Sequence, residues 1–214
     1  MRVVVVMTMM LIMQDIHLQL VKLILILTLI FFQLFASKIV LGDVLKIGNE
    51  NAKITVKVFS SLTCPHCASF HEKVYQDLKK NYIDENLVKF EHHAFPLDLA
   101  ALNAEKIVRC ALSPEARFNL LTKIYNKQSK WAVGSDIKKI NEFLINIGSN
   151  SKLSENELRK CLNDEKTQEL ILKERIEAQK KYNITSTPTI YINDKKYEDK
   201  HEFKSFKKQI DKLL

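Results

Sequence analysis

The 214-residue chain holds only four glycines and four prolines, and no stretch rich in Gly, Pro or Ser interrupts it. With no such linker and no internal repeat, it does not divide into a string of separate folded domains. No nucleotide, flavin or metal motif is present, so any redox chemistry has to come from the side chains themselves. Only four cysteines occur, Cys64, Cys67, Cys110 and Cys161. They lack the two closely spaced pairs expected of a structural zinc site. The formal charge is +8, from lysines scattered among glutamates and a denser run between Lys195 and Lys212. No aromatics interleave with it and no nucleic-acid motif accompanies it, so it reads as a solvated face, at most one that lingers near anionic lipid.

Long hydrophobic runs are confined to the N-terminus. Leu23 to Ala36 is apolar apart from Thr28 and Gln33, with Lys22 in front. That falls short of the ~20 residues a membrane span needs and suits the core of a signal peptide. Cleavage after Ala36 or Gly42 is expected, and retention as a membrane anchor is the alternative. A second run, Val3 to Met13, is more than a signal peptide needs. Residues 1–42 are therefore set aside, leaving about 170 residues, enough for one domain with a sizeable core. All four cysteines fall in that domain, an even number behind an export signal, which implies an oxidising compartment.

The most informative stretch is Phe59-Ser60-Ser61-Leu62-Thr63-Cys64-Pro65-His66-Cys67. Before it, Ile54 to Val58 alternates and is β-branched, a strand signal. After it, Cys67, Phe70, Val74 and Leu78 recur at helical spacing. The cysteine pair therefore sits where a strand hands over to a helix N-terminus. Unpartnered amides and the positive end of the helix dipole gather there, and both favour a Cys64 thiolate. Pro65 suits the first helical turn, and a protonated His66 would add positive charge. Three readings of the pair are open: half a zinc site, a structural bridge or a redox couple. A bridge across so short a loop stabilises by only about 2 kcal/mol, and no second zinc pair exists, so the redox reading leads.

Further along, Leu87 to His93 reads as a strand. Adjacent His92 and His93 would point to opposite faces and lack a third metal ligand, so their role is structural. His71 falls among polar positions of the motif helix and His201 lies in the charged tail. From about residue 97 to 181 the chain reads as successive helices, including the stripes Ala104/Ile107/Val108/Ala111, Phe118/Leu121/Ile124/Tyr125 and Ile137/Ile140/Phe143/Leu144, the last closed by Gly148. Ser154-Glu155-Asn156-Glu157 has the form of a capping box. Cys110 and Cys161 both lie on apolar stripes. A bridge between them would close a loop of about fifty residues, worth roughly 4 kcal/mol, and two buried free thiols are the alternative. Thr187-Pro188 leads into a strand from Thr189 to Ile192, then a hairpin to Tyr197 and an amphipathic helix through Phe203, Phe206, Ile210 and Leu213. A proline just before a core strand needs a special setting, of which a cis peptide is one.

With these pieces in order, residues 44–214 resemble the DsbA family of thioredoxin-fold thiol–disulfide oxidoreductases, and among them the α-proteobacterial type. The resemblance rests on Cys64-Pro65-His66-Cys67, on Thr187-Pro188, on the helical stretch between them and on the further pair Cys110 and Cys161. It implies an α/β thioredoxin fold with an inserted helical subdomain. It implies that Cys64 is the nucleophile, Cys67 its buried partner, Pro188 a cis residue against the disulfide and Thr187 a backbone partner for an extended substrate strand. The activity implied is introduction of disulfides into reduced or unfolded exported proteins in the periplasm, by a monomer that needs no cofactor, metal or nucleic acid. A DsbB-like membrane protein would be the reoxidant. An isomerase or reductase of the same fold and a redox-inert peptide-binding chaperone are the rivals. Two departures stand out: Val58 occupies a position that is commonly acidic in relatives, and Thr187 replaces the valine of the best-known member.

Overall fold

The structure is a computed structural model and describes residues 17–25 and 44–214. The chain divides into two units, Met1–Val40 and Leu41–Leu214. Residues 17–25 are helical; the expected cleavage positions, Val3 to Met13 and most of the apolar run from Leu23 lie outside the described residues. Among the described residues, no helix is long and apolar enough to cross a membrane.

The second unit is built on five strands, β1 (Leu45–Ile47), β2 (Ile54–Ser60), β3 (Val88–Ala94), β4 (Thr189–Ile192) and β5 (Lys195–Lys196), in the order β1-β3-β2-β4-β5. β2 runs parallel to β3 and every other pairing is antiparallel. β2 is central, and Ile54, Val56, Val58 and Phe59 are all buried. This is the pattern of a strand covered on both faces. The segment before β2, which sequence treats only as a lead-in, contains the edge strand β1; three residues are too few to show a period of two.

After β2 the chain turns into α1, a continuous helix from Pro65 to Ile83 with π-turns over His71–Tyr75 and Lys79–Ile83. Its inner face carries Cys67, Phe70, Val74 and Leu78 as the spacing predicts, and also His71, only 3% exposed. That corrects the reading of His71 as a polar-side residue: it follows Cys67 by four positions and so shares its face. Its Nε2 meets Thr122 Oγ1 at 2.8 Å.

Six helices lie between β3 and β4: α2 (Leu99–Cys110), α3 (Pro114–Asn126), α4 (Gln128–Trp131), α5 (Ile137–Ser149), α6 (Glu155–Leu162) and α7 (Glu165–Tyr182). Asp98, Ser113, Asp136, Ser154 and Asp164 cap α2, α3, α5, α6 and α7 with side-chain oxygens, and Ser154 with Glu157 forms the full capping box. Each such cap is worth about 1 kcal/mol. Two details differ from the sequence reading. Phe143 is 40% exposed rather than in the α5 stripe. Gly148 does not end α5; a Cβ there would come within 2.5 Å of a Leu158 methyl, so the glycine lets α6 approach.

α7 is tied back to the sheet by a buried carboxylate. Glu174 accepts hydrogen bonds from the Arg109 guanidinium and, at 2.9 Å, from the Ala94 amide. All three groups are out of solvent, so the arrangement joins α7, α2 and β3. Glu174→Gln keeps an acceptor for Ala94 but leaves the arginine facing a neutral amide. It is expected to lower unfolding free energy in urea by about 2 kcal/mol without altering thiol chemistry. The chain closes with β5 and helix α8 (Phe203–Asp211), whose Phe206 ring lies 5.6 Å from that of Phe70 on α1.

Candidate active site

The end of β2 fixes where the cysteines go. Cys64 is the N-cap of α1, with extended backbone (φ −78°, ψ 119°), and Pro65 opens the first turn. The Cys67 and Ala68 amides both donate to the Cys64 carbonyl at 3.1 Å. On the other side of β2, Phe59 pairs with Thr189 in the antiparallel register. The residues just before β4 therefore arrive beside the helix cap. The Thr187–Pro188 peptide is cis, and the Cys64 thiol donates to the Thr187 carbonyl, Sγ to O 3.3 Å. Two motifs more than a hundred residues apart in sequence thus meet at one sulfur.

Both cysteines of the pair are thiols here, and their surroundings treat them oppositely. Cys64 is brought down to about 5, first by a hydrogen bond from the Cys67 thiol and further by the Thr187 hydroxyl and the Cys67 and His66 amides, against the cost of partial burial. Cys67, 1% exposed, is pushed far above its ordinary value by burial and then by Cys64. One thiol is therefore ready to ionise and attack, while the other stays protonated. His66 acts on Cys64 through its backbone amide, while its ring is felt by His201, whose own pKa is lowered by burial and then by His66.

Several contributors carry no local signal in the sequence. Gln128 on α4 donates through Nε2 to the Leu62 carbonyl at 2.8 Å and the Cys64 carbonyl at 3.0 Å, bracing the turn before α1. Thr63 donates to Asp98, the cap of α2, at 2.7 Å, and the Leu97 amide donates to Ser61 at 3.3 Å. These contacts pin the helical subdomain to the cysteine turn. Cys110 and Cys161 are joined, S–S 2.09 Å, linking the end of α2 to α6 away from the cap of α1. His92 and His93 do not converge: His92 is paired with Glu105, and His93 with Glu91. Among the described residues, no cluster of His, Cys, Asp and Glu is arranged to hold a metal.

A two-cysteine helix cap at the end of a central strand, facing a cis-proline loop, defines a protein of the thioredoxin fold. Comparison with known proteins agrees: the thioredoxin family model matches residues 41–212. Wolbachia pipientis alpha-DsbA1 superposes with TM-score 0.73 at 29% identity, over 80% of this chain and 90% of that one. Oxidised BdbD of Bacillus subtilis gives TM-score 0.67 at 25% identity, over 79% and 92%. In sequence, disulfide bond formation protein D of Bacillus subtilis is 27% identical over 78% of this chain and 76% of its own length. A Rickettsia bellii protein provisionally named a protein-disulfide oxidoreductase is 30% identical over 78% of this chain. The chain spans 63% of that relative's length and 52% of its Rickettsia conorii counterpart's. The chain belongs to the DsbA family of thioredoxin-fold proteins.

Proposed function

We propose that this protein is a protein thiol–disulfide oxidoreductase that oxidises reduced exported proteins by exchange through Cys64 and Cys67. A substrate thiolate attacks Cys64 Sγ, the Cys64–Cys67 bond breaks and its electron pair leaves on Cys67. A second substrate thiolate then attacks the substrate's own sulfur in the mixed disulfide. Oxidised substrate departs, and the protein keeps two electrons as the Cys64/Cys67 dithiol. A membrane reoxidant of the DsbB kind takes those electrons in the periplasm, the protein being delivered there by its N-terminal segment, freed or retained as a tether. The substrate strand lies beside Thr187 and Pro188 by β-augmentation.

The observation that carries this reading is the Cys64 sulfur at the α1 cap with a pKa near 5. A stabilised thiolate favours the dithiol over the disulfide, so the disulfide is a strong oxidant and Cys64 a good leaving group. Equilibration with glutathione tests it. The pair is expected to be largely reduced in a buffer still dominated by oxidised glutathione, and the disulfide form to oxidise a reduced dithiol peptide in one turnover. A Cys64–Cys67 bridge that persists in reducing glutathione would sink the oxidase reading in favour of a reductase. Faster rescue of scrambled ribonuclease than of reduced peptide would favour an isomerase.

His66→Leu deletes the imidazole and keeps the amide. Thiolate absorbance is expected to show Cys64 titrating above 5 yet still below an ordinary thiol, and the glutathione equilibrium to move toward a less oxidising couple.

A further inference from the structure

The turn that carries Cys64 is held by a side chain to which the exchange steps give no part. Gln128 is the first residue of α4, a helix of four residues inside the helical subdomain. Its Nε2 lies 2.8 Å from the Leu62 carbonyl oxygen and 3.0 Å from that of Cys64. Two acceptors facing one terminal atom fix that atom as the amide nitrogen, with one hydrogen for each carbonyl. The side chain has little freedom to do otherwise. Gln128 is 9% exposed. Three residues on, Trp131 is fully buried and donates its indole N–H to the Ile124 carbonyl at 2.9 Å. The short helix is thus pinned to α3, and Gln128 meets the cysteine turn already oriented.

The Cys64 carbonyl matters because it competes with the Cys64 sulfur for the same donor. The Cys67 and Ala68 amides both donate to this carbonyl at 3.1 Å, and the Cys67 amide is also among the groups that favour the Cys64 thiolate. A carbonyl that already accepts from Gln128 draws less on that amide and leaves more of it for a negative sulfur. The same contact ties Leu62 to Cys64, so the sulfur keeps its place beside the Thr187 carbonyl, 3.3 Å away. We propose that Gln128 is a positioning residue for thiol–disulfide exchange: by occupying the Leu62 and Cys64 carbonyls it frees the Cys67 amide for the Cys64 sulfur and fixes the cap of α1. The inference rests on the exchange reading above. It gives the helical subdomain a part in the chemistry, since the amide that steadies the nucleophile belongs to α4 and not to the strand and helix that bear the cysteines. Gln128 also lines, with Pro65, Ser69 and Glu72, a groove of about 550 Å³. The Glu72 carboxylate accepts hydrogen bonds and cannot stand in for the amide, but the groove lets water reach the turn.

The test is the alkylation midpoint of Cys64 in the full dithiol chain, read with iodoacetamide, together with its equilibrium against glutathione at pH 7. Gln128→Met keeps the length of the side chain and removes the donor. Water entering by the groove can solvate the freed carbonyls, so folding by circular dichroism is retained. The midpoint is expected to rise from near 5 to about 6. The ratio of disulfide to dithiol at a fixed glutathione poise should then grow about tenfold, one pKa unit being a factor of ten. Glu174→Gln loosens the same subdomain through α7, α2 and β3 and should leave both readings where they are. In the parent, the Nε2 protons of Gln128 should shift through the Cys64 midpoint in nuclear magnetic resonance spectra, a readout that needs no variant. A midpoint still near 5 in Gln128→Met, an equal rise in Glu174→Gln, or Nε2 protons indifferent to the titration would each overturn the proposal. A parent midpoint above 8 would remove the exchange reading itself, and the inference with it.

Discussion

Cys64→Ser is expected to lower the rate of peptide oxidation by about a thousandfold or more, because exchange has no route that avoids a thiolate at this position. Cys67→Ser should behave differently. It leaves the Cys64 thiolate in place but removes its partner: offered a substrate that already carries a disulfide, the thiolate attacks that bond and releases one substrate thiolate, and with no Cys67 to break the resulting mixed disulfide it should accumulate on Cys64, visible on non-reducing gels. If the two variants behaved alike, the division of labour between an accessible low-pKa thiol and a buried high-pKa one would be wrong. The pH dependence follows with a definite sign. Cys64 in the folded dithiol form titrates near 5, well below an ordinary thiol. A depressed folded-state pKa contributes stability that is complete above the ordinary thiol pKa and fades as pH falls through 5. The disulfide form has no Cys64 proton to lose. The dithiol protein should therefore gain unfolding free energy relative to the disulfide protein as pH rises from 5 toward 9, and iodoacetamide should alkylate it with a midpoint near 5. A midpoint above 8 would remove the basis for an oxidising couple.

How much of this was legible in the chain depends on whether the information was local. Cys64, Pro65 and Cys67 could be placed on a helix cap because the strand before them and the helical stripe after them lie within twenty residues. Thr187 and Pro188 were legible for a similar reason, a proline standing directly before an alternating β-branched run. The capping box at Ser154 and Glu157 is local as well. By contrast, Gln128 reaches the Leu62 and Cys64 carbonyls across more than sixty residues, and nothing in Lys127-Gln128-Ser129 marks it as buried. Arg109 with Glu174, and His92 with Glu105, are charges that enter the core only because a distant partner meets them there. Sequence alone gives no sign of these pairings, and it puts His71 on the polar side of its helix, since polarity is visible and the partner is not. Val58 shows the converse. Its apolar side chain was legible, while the polar pair seated against its strand comes from β3 and α2.

Removing the second cysteine pair with Cys110→Ala/Cys161→Ala is expected to cost about 4 kcal/mol of stability and to lower the melting temperature by about 10 °C. The cross-link closes a loop of 51 residues, which contains α3, α4 and α5. Releasing it returns that whole length of chain to the unfolded ensemble. The native contacts along it, such as Leu158 against Gly148, survive the substitution, so the variant should fold. The active pair has the opposite character. A Cys64–Cys67 bridge restricts so short a loop that it contributes only about 2 kcal/mol by the same reasoning, and forming it sacrifices the stabilised Cys64 thiolate. Graded dithiothreitol should therefore open Cys64–Cys67 first and leave a Cys110–Cys161 peptide intact, as read by alkylation and mass spectrometry. Simultaneous opening, or free alkylation of Cys110 and Cys161 in unreduced protein, would contradict this separation. Because Cys64, Cys67, Thr187 and Pro188 assemble on β2, α1 and β4, outside the loop, the double variant should oxidise peptide at close to the parent rate below its melting temperature. The two pairs are thus expected to divide along loop length: the wide one holds the helical subdomain together, and the narrow one is the one that reacts.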